Sequence, residues 1–164
     1  MGTVNIPRLD LNSYINGDAA ERKQFSDAIG EAFNQTGFVT ITNHGLDKAL
    51  IDELYEDVKA LFALPDEIKA KYEDPELAGQ RGYTSKGKET AKGFTAPDLK
   101  EFWQIGQTVT DDEQLAKEYP ENTKVTEVPT FNATTLEVYK KLEWAGIHLL
   151  RAISVYLGLP KTIF

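Results

Sequence analysis

The sequence predicts an α+β fold, a helix-rich unit with short strands, on three observations. Apolar residues recur at three- and four-residue steps over 18–37, 47–62 and 130–157. Short alternating or β-branched stretches lie between these segments. Gly, Pro and Asp residues mark their boundaries, and the helical mass exceeds the strand mass.

Taken in order, Ile6-Pro7-Arg8-Leu9-Asp10-Leu11 alternates but contains a proline that cannot donate to a ladder, which suits a short edge strand within 4–11. Asp18 is an N-cap for a helix whose Phe25, Ala28, Ile29, Ala32 and Phe33 share a face, and Gly37 stops it. Phe38 to Thr42 alternates as a strand and runs into a tight Asn43-His44-Gly45 turn. Asp47 caps a second helix with Leu50, Leu54, Val58, Leu61 and Phe62 on one side, and Pro65 begins a short third turn. The stretch 73–98 is the least regular: 81–85 reads as a strand, and Lys86 to Lys92 as a charged, mobile loop. Residues 100–106 alternate again, with Phe102 and Gln104 on one face and Trp103 and Ile105 on the other. After an acidic segment at Asp111, Asp112 and Glu113, a dominant helix runs over 131–157. Val138, Leu142, Ala145, Leu149, Ala152 and Tyr156 lie at helical steps along it, and Gly158 and Pro160 end it.

Composition bounds the function. With 164 residues, 41% hydrophobic and 10% aromatic, the chain is large enough for one core and reads as a single domain, 1–164. Lys+Arg 18 against Asp+Glu 26 gives a net charge of −8 with no basic stripe, which argues against nucleic acid and anionic membranes as partners. The absence of cysteine excludes disulfides, thiolate nucleophiles and zinc ribbons. Met1 to Leu11 shows no cationic flank before an apolar run, and no segment is long enough to span a bilayer, so the expected location is cytoplasmic.

Two constellations suggest other chemistry. Gly82-Tyr83-Thr84-Ser85-Lys86-Gly87-Lys88-Glu89 matches a phosphate-binding loop until its last place, where Glu89 stands for the magnesium-binding Ser or Thr and repels phosphate. No buried strand precedes it, so a charged loop is the better reading. The two histidines, His44 and His148, lack neighbouring metal-ligand partners. His44 is expected to fix its turn through a backbone bond, and His148 to sit hydrogen-bonded on its helix.

The order of several short motifs resembles the N-terminal region of isopenicillin N synthase-like iron(II)/2-oxoglutarate oxygenases. They are Ile6-Pro7-Arg8-Leu9-Asp10-Leu11, the strand and turn Gly37 to Leu46, Leu61-Phe62-Ala63-Leu64-Pro65 with Lys69, Arg81-Gly82-Tyr83, Asp98-Leu99-Lys100-Glu101 and Leu157-Gly158-Leu159-Pro160. Asn122 to Pro129 departs from the compact Asn-x-Trp-Pro of many members. The resemblance implies a unit that packs on a double-stranded β-helix, or jelly roll, which this chain does not contain. It also implies iron(II) and 2-oxoglutarate as cofactors of the full-length protein. A non-haem iron site takes two His and one carboxylate; neither His44 nor His148 has a carboxylate two positions on, and an Arg-x-Ser motif is absent. The expectation is therefore no catalytic residue, no metal ligand and no cofactor bound by this chain alone.

What the resemblance assigns to these residues is substrate contact at the mouth of the active site: Arg81 and Tyr83 first, then Lys100 and Glu101. Arg suits a substrate carboxylate because its planar fork donates two parallel hydrogen bonds. The competing reading pairs Arg81 with Glu73 or Glu76 and lets Tyr83 simply pack. Adjacent strand residues face opposite sides, so at most one of Lys100 and Glu101 looks into a cavity. The implied partners are a small-molecule substrate and the protein's own C-terminal catalytic domain. In the alternative, the 164 residues are a complete non-catalytic binding or scaffold module.

Overall fold

The computed structural model describes residues 5–90, 92–93, 95–109, 112–160 and 162–163. The chain divides into two compact units, one of Met1–Asp47 with Lys140–Phe164, the other of Lys48–Tyr139.

In the first unit, β1 (Arg8–Asp10) pairs in parallel with β2 (Thr40–Thr42), with Leu9 opposite Ile41. The strand is shorter than expected because Asp10 turns the chain into α1 (Leu11–Ile15), its carboxylate accepting the Asn12 amide at 2.9 Å. The alternation that reads as strand through Leu11 thus ends at a cap. Helix α2 (Ala19–Thr36) has the expected ends: Asp18 and Glu21 form a reciprocal capping box, and Gly37 takes φ 74° at the C-terminus. Phe25, Ile29 and Ala32 are buried, but Phe33 is 44% exposed, since it lies about 100° around the helix from Ala32.

Helix α6 (Phe131–Tyr156) contributes residues 140–156 to this unit. Its end is a Schellman motif: the Leu159 amide reaches the Ser154 carbonyl at 2.8 Å, the Gly158 amide reaches that of Val155 at 3.2 Å, and Gly158 has φ 69°. Ala145 and Ala152 join Leu11, Tyr14, Phe25 and Ile29 in the core. Leu142 and Tyr156, placed on the same stripe by the sequence, are 53% and 37% exposed. Gly30 admits the Tyr156 ring, whose Cδ1 would stand 2.2 Å from any Cβ there.

The second unit opens with α3 (Lys48–Phe62) and, after Pro65, the short α4 (Asp66–Lys69). Two single turns lead to β3 (Gly82–Thr84), antiparallel to β4 (Phe102–Gln104). Asp112 caps α5 (Glu113–Ala116), a single turn too short to leave a helical period in the sequence. The core gathers Leu61, Val125, Val128 and Phe131, with Tyr72, Trp103 and Phe131 meeting edge to face at 5.7 and 5.4 Å. Asn132 holds both backbone groups of Val125 at 2.9 and 2.7 Å, and buried Asp57 accepts the Thr130 hydroxyl at 2.6 Å just before α6. Among the described residues no helix is long and apolar enough to cross a membrane.

Candidate functional site

Cross-strand partners in an antiparallel pair point to the same side of the sheet. Tyr83 lies opposite Trp103, and Glu101 is two residues before Trp103, so Tyr83 and Glu101 share a face while Lys100 belongs to the other. On that shared face the Tyr83 hydroxyl donates to Glu101 Oε2. The same oxygen receives Lys69 Nζ at 2.7 Å, and Lys69 also reaches Asp66 Oδ1 at 3.0 Å. The Lys69 side chain is only 4% exposed and that of Glu101 17%. Its ammonium lies 5.6 Å from the centre of the Tyr83 ring.

The electrostatics follow from this geometry. Donation from Lys69, then from Tyr83, holds the Glu101 carboxyl below the usual carboxylate range. Burial, then the bond to Glu101, pushes the Tyr83 hydroxyl up to about 12. Lys69 is raised chiefly by its bond to Glu101. The three side chains therefore form a closed, charge-balanced cluster tying α4 to the β3–β4 pair. The sequence shows Lys69 only as the end of a Leu-Pro-x-x-x-Lys motif; its partner lies 32 residues away and is invisible to local spacing.

Arg81 is different. It is buried, its Nη1 donates to the Gln80 carbonyl at 2.7 Å, its Nε has no partner, and among the described residues no carboxylate pairs with it. The guanidinium lies flat on Gly106: a Cβ there would sit 2.0 Å from Arg81 Cζ and 2.1 Å from Nη2. Asn122 fixes Gly106 in turn, accepting its amide at 2.9 Å and donating to its carbonyl at 2.8 Å. Glu73, a candidate partner on sequence grounds, instead accepts from Ser85 at 3.1 Å and pairs with Lys88 at 3.4 Å.

Lys100 stands apart from these groups. Exposed, it pairs with Glu89 at 2.7 Å and Asp98 at 3.5 Å and covers the Phe102 ring. The stretch read as a mobile loop is held at its base, where the Gly87 amide reaches the Asp98 carbonyl at 2.9 Å, the Asp98 amide that of Glu89 at 2.7 Å, and Thr90 bridges Pro97.

Among the described residues no three of His, Cys, Asp and Glu are grouped to hold a metal ion. His44 Nδ1 accepts the Leu46 amide at 3.2 Å, and His148 Nδ1 faces the Trp144 carbonyl at 2.8 Å, so each ring serves its own turn or helix. The described residues do not fit an iron centre.

Residues 6–127 match the family model described as the non-haem dioxygenase in morphine synthesis N-terminal region. The chain belongs to this N-terminal dioxygenase family. The 2-oxoglutarate-dependent dioxygenase htyE of Aspergillus rugulosus is 32% identical over 96% of the chain and 50% of its own length. A proline hydroxylase of Petromyces alliaceus is 29% identical over 98% of the chain and 50% of its length. The crystal structure of a 2OG-Fe(II) oxygenase family protein from Caulobacter crescentus superposes with a TM-score of 0.83 at 33% identity, covering 99% of this chain and 52% of that one. The chain thus spans about half the length of the relatives it matches. The helix-rich α+β architecture with short strands is that of the family's N-terminal region, and the described residues contain only two two-stranded sheets.

Proposed function

We propose that the whole protein is an iron(II)/2-oxoglutarate-dependent oxygenase acting on a small molecule, with residues 1–164 as its N-terminal domain. The observation that carries the reading is the family match over residues 6–127, joined by relatives named as 2-oxoglutarate-dependent dioxygenases. In this reading the ligands of iron and 2-oxoglutarate belong to the catalytic domain. That domain covers an apolar arc of α6, where Ile147 and Leu150 are 39% and 40% exposed on the side turned from Ala145 and Ala152.

This chain's part in catalysis is to present the substrate-binding strand. Arg81 supplies the contact, a buried fork of donors with no carboxylate to neutralise it among the described residues. Tyr83 and Glu101 serve the substrate by holding the strand in register through Lys69, and Lys100 sits at the base of the 87–98 loop beside the entrance.

The test is turnover by the full-length protein with iron(II) and 2-oxoglutarate. Conversion of 2-oxoglutarate to succinate coupled to a small substrate is expected, and none across a broad substrate panel refutes the oxygenase reading. Arg81→Ala should raise KM about thirtyfold, the equivalent of about 2 kcal/mol, without altering iron binding. An unchanged KM with a lower melting temperature would make Arg81 structural.

A further inference from the structure

We propose that the second unit contains a binding site for a neutral aromatic molecule of two fused rings. The site is a cavity of about 410 Å³ lined by β4, the chain that continues from it, the 116–124 segment and the first turns of α6. Trp103, Ile105, Tyr119, Phe131 and Leu136 form its apolar wall.

The two asparagines on the lining and Thr135 spend their polar groups within the protein. Asn122 is bound to both backbone groups of Gly106, Asn132 to both of Val125, and the Thr135 hydroxyl donates to the Phe131 carbonyl at 2.6 Å. Glu121 and Lys124, the charged residues of the lining among the described residues, are exposed and of opposite sign, so between them they give no net charge with which to select an ion. A ligand gains there from buried apolar area and from ring contacts with Trp103 and Phe131. An apolar cavity of roughly 150 Å³ already takes benzene, and small-molecule sites begin at roughly 300 Å³; this one has room for a second ring. The site is built from this unit's own residues and holds or fails independently of the oxygenase reading.

Indole is the probe. The chain has 2 tryptophans, Trp103 on the cavity wall and Trp144 on α6 outside its lining, so their indole N–H signals report separately in NMR. Titration is expected to move the Trp103 signal saturably and leave that of Trp144 in place. Leu136→Trp, which fills the space from α6, should weaken binding by at least about tenfold; if that variant does not fold, Ala116→Phe fills it from α5. A Trp103 signal unmoved up to the solubility limit of indole overturns the site, as does a non-saturating shift shared by both tryptophans. Equal affinity in a folded filled variant overturns it too.

Discussion

Replacing Lys69 with Met tests the cluster that fastens α4 to the strands. The side chains are close in volume, so the change removes a charge and little packing. Left behind is Glu101, 17% exposed, with the Tyr83 hydroxyl and the more distant Lys86, 3.6 Å away, as its remaining partners. Removing one member of a buried pair costs about 3–5 kcal/mol when the other is stranded. Because Glu101 keeps two partners and some solvent contact, the expected loss falls at or just below that range, about 2–3 kcal/mol. For a chain of this size that corresponds to a melting temperature lower by about 4–12 °C. Urea unfolding at pH 7 followed by circular dichroism measures the free energy directly, and an unchanged m-value excludes a gross change in the folded state. The second arm is the double variant Lys69→Met/Glu101→Leu, which strands no charge and should regain most of the loss. If Lys69→Met unfolds at the wild-type urea concentration, or if the double variant is as unstable as the single, the cluster does not hold this part of the unit together.

Two further outcomes follow from the same face of the sheet. Gly106→Ala places a Cβ within 2.0 Å of the Arg81 guanidinium, so it should cost about 1–3 kcal/mol by overpacking, and Arg81→Ala in the same chain should restore most of it in a thermal melt. A neutral Gly106→Ala would show that Arg81 does not rest there. Tyr83 titrates near 10 when unfolded and at about 12 when folded, so its contribution is full below pH 10 and is lost as pH rises from 10 to 12. Lys69, also raised, acts in the same direction. Melts across that window should therefore fall more steeply for wild type than for Tyr83→Phe, by up to about 2–3 kcal/mol in total; parallel curves would remove Tyr83 from the cluster.

What the sequence reveals is what neighbouring residues decide between themselves. Asp18, Glu21 and Gly37 settle both ends of α2 within a few positions, and Gly158 does the same for α6. Asp10 shows the limit of that logic: its place in an alternating run reads as strand, whereas its carboxylate starts a helix. Helix α5 is a single capped turn, too short to leave a period. The parallel pairing of β1 with β2 and the meeting of Lys69 with Glu101 join residues about thirty positions apart, beyond the reach of a spacing argument. Among the residues singled out, Arg81 and Tyr83 do share a neighbourhood in the fold, but the features that distinguish them, an orphaned Nε and a shared carboxylate, depend on Gly106 and Lys69. Phe33, Leu142 and Tyr156 fit the helical stripes and yet are exposed, because periodicity fixes a direction around a helix and not what lies in that direction.

The Tyr156 ring seated on Gly30 has a consequence for how the chain reaches its native state. The first unit is discontinuous: 1–47 must wait for 140–156 before its core can close, whereas 48–139 is an uninterrupted stretch. On a ribosome the inner stretch has its full set of partners as soon as it emerges, while α2 has already been waiting with Tyr14 of α1 against Phe25 but without Ala145 and Ala152 to complete its core. The outer unit carries the greater loop-closure entropy and should be the slower to form. That interval leaves apolar helix surface open to a chaperone or to another nascent copy, and any change that hinders the last turn of α6, at Gly158 as much as at Tyr156, prolongs it.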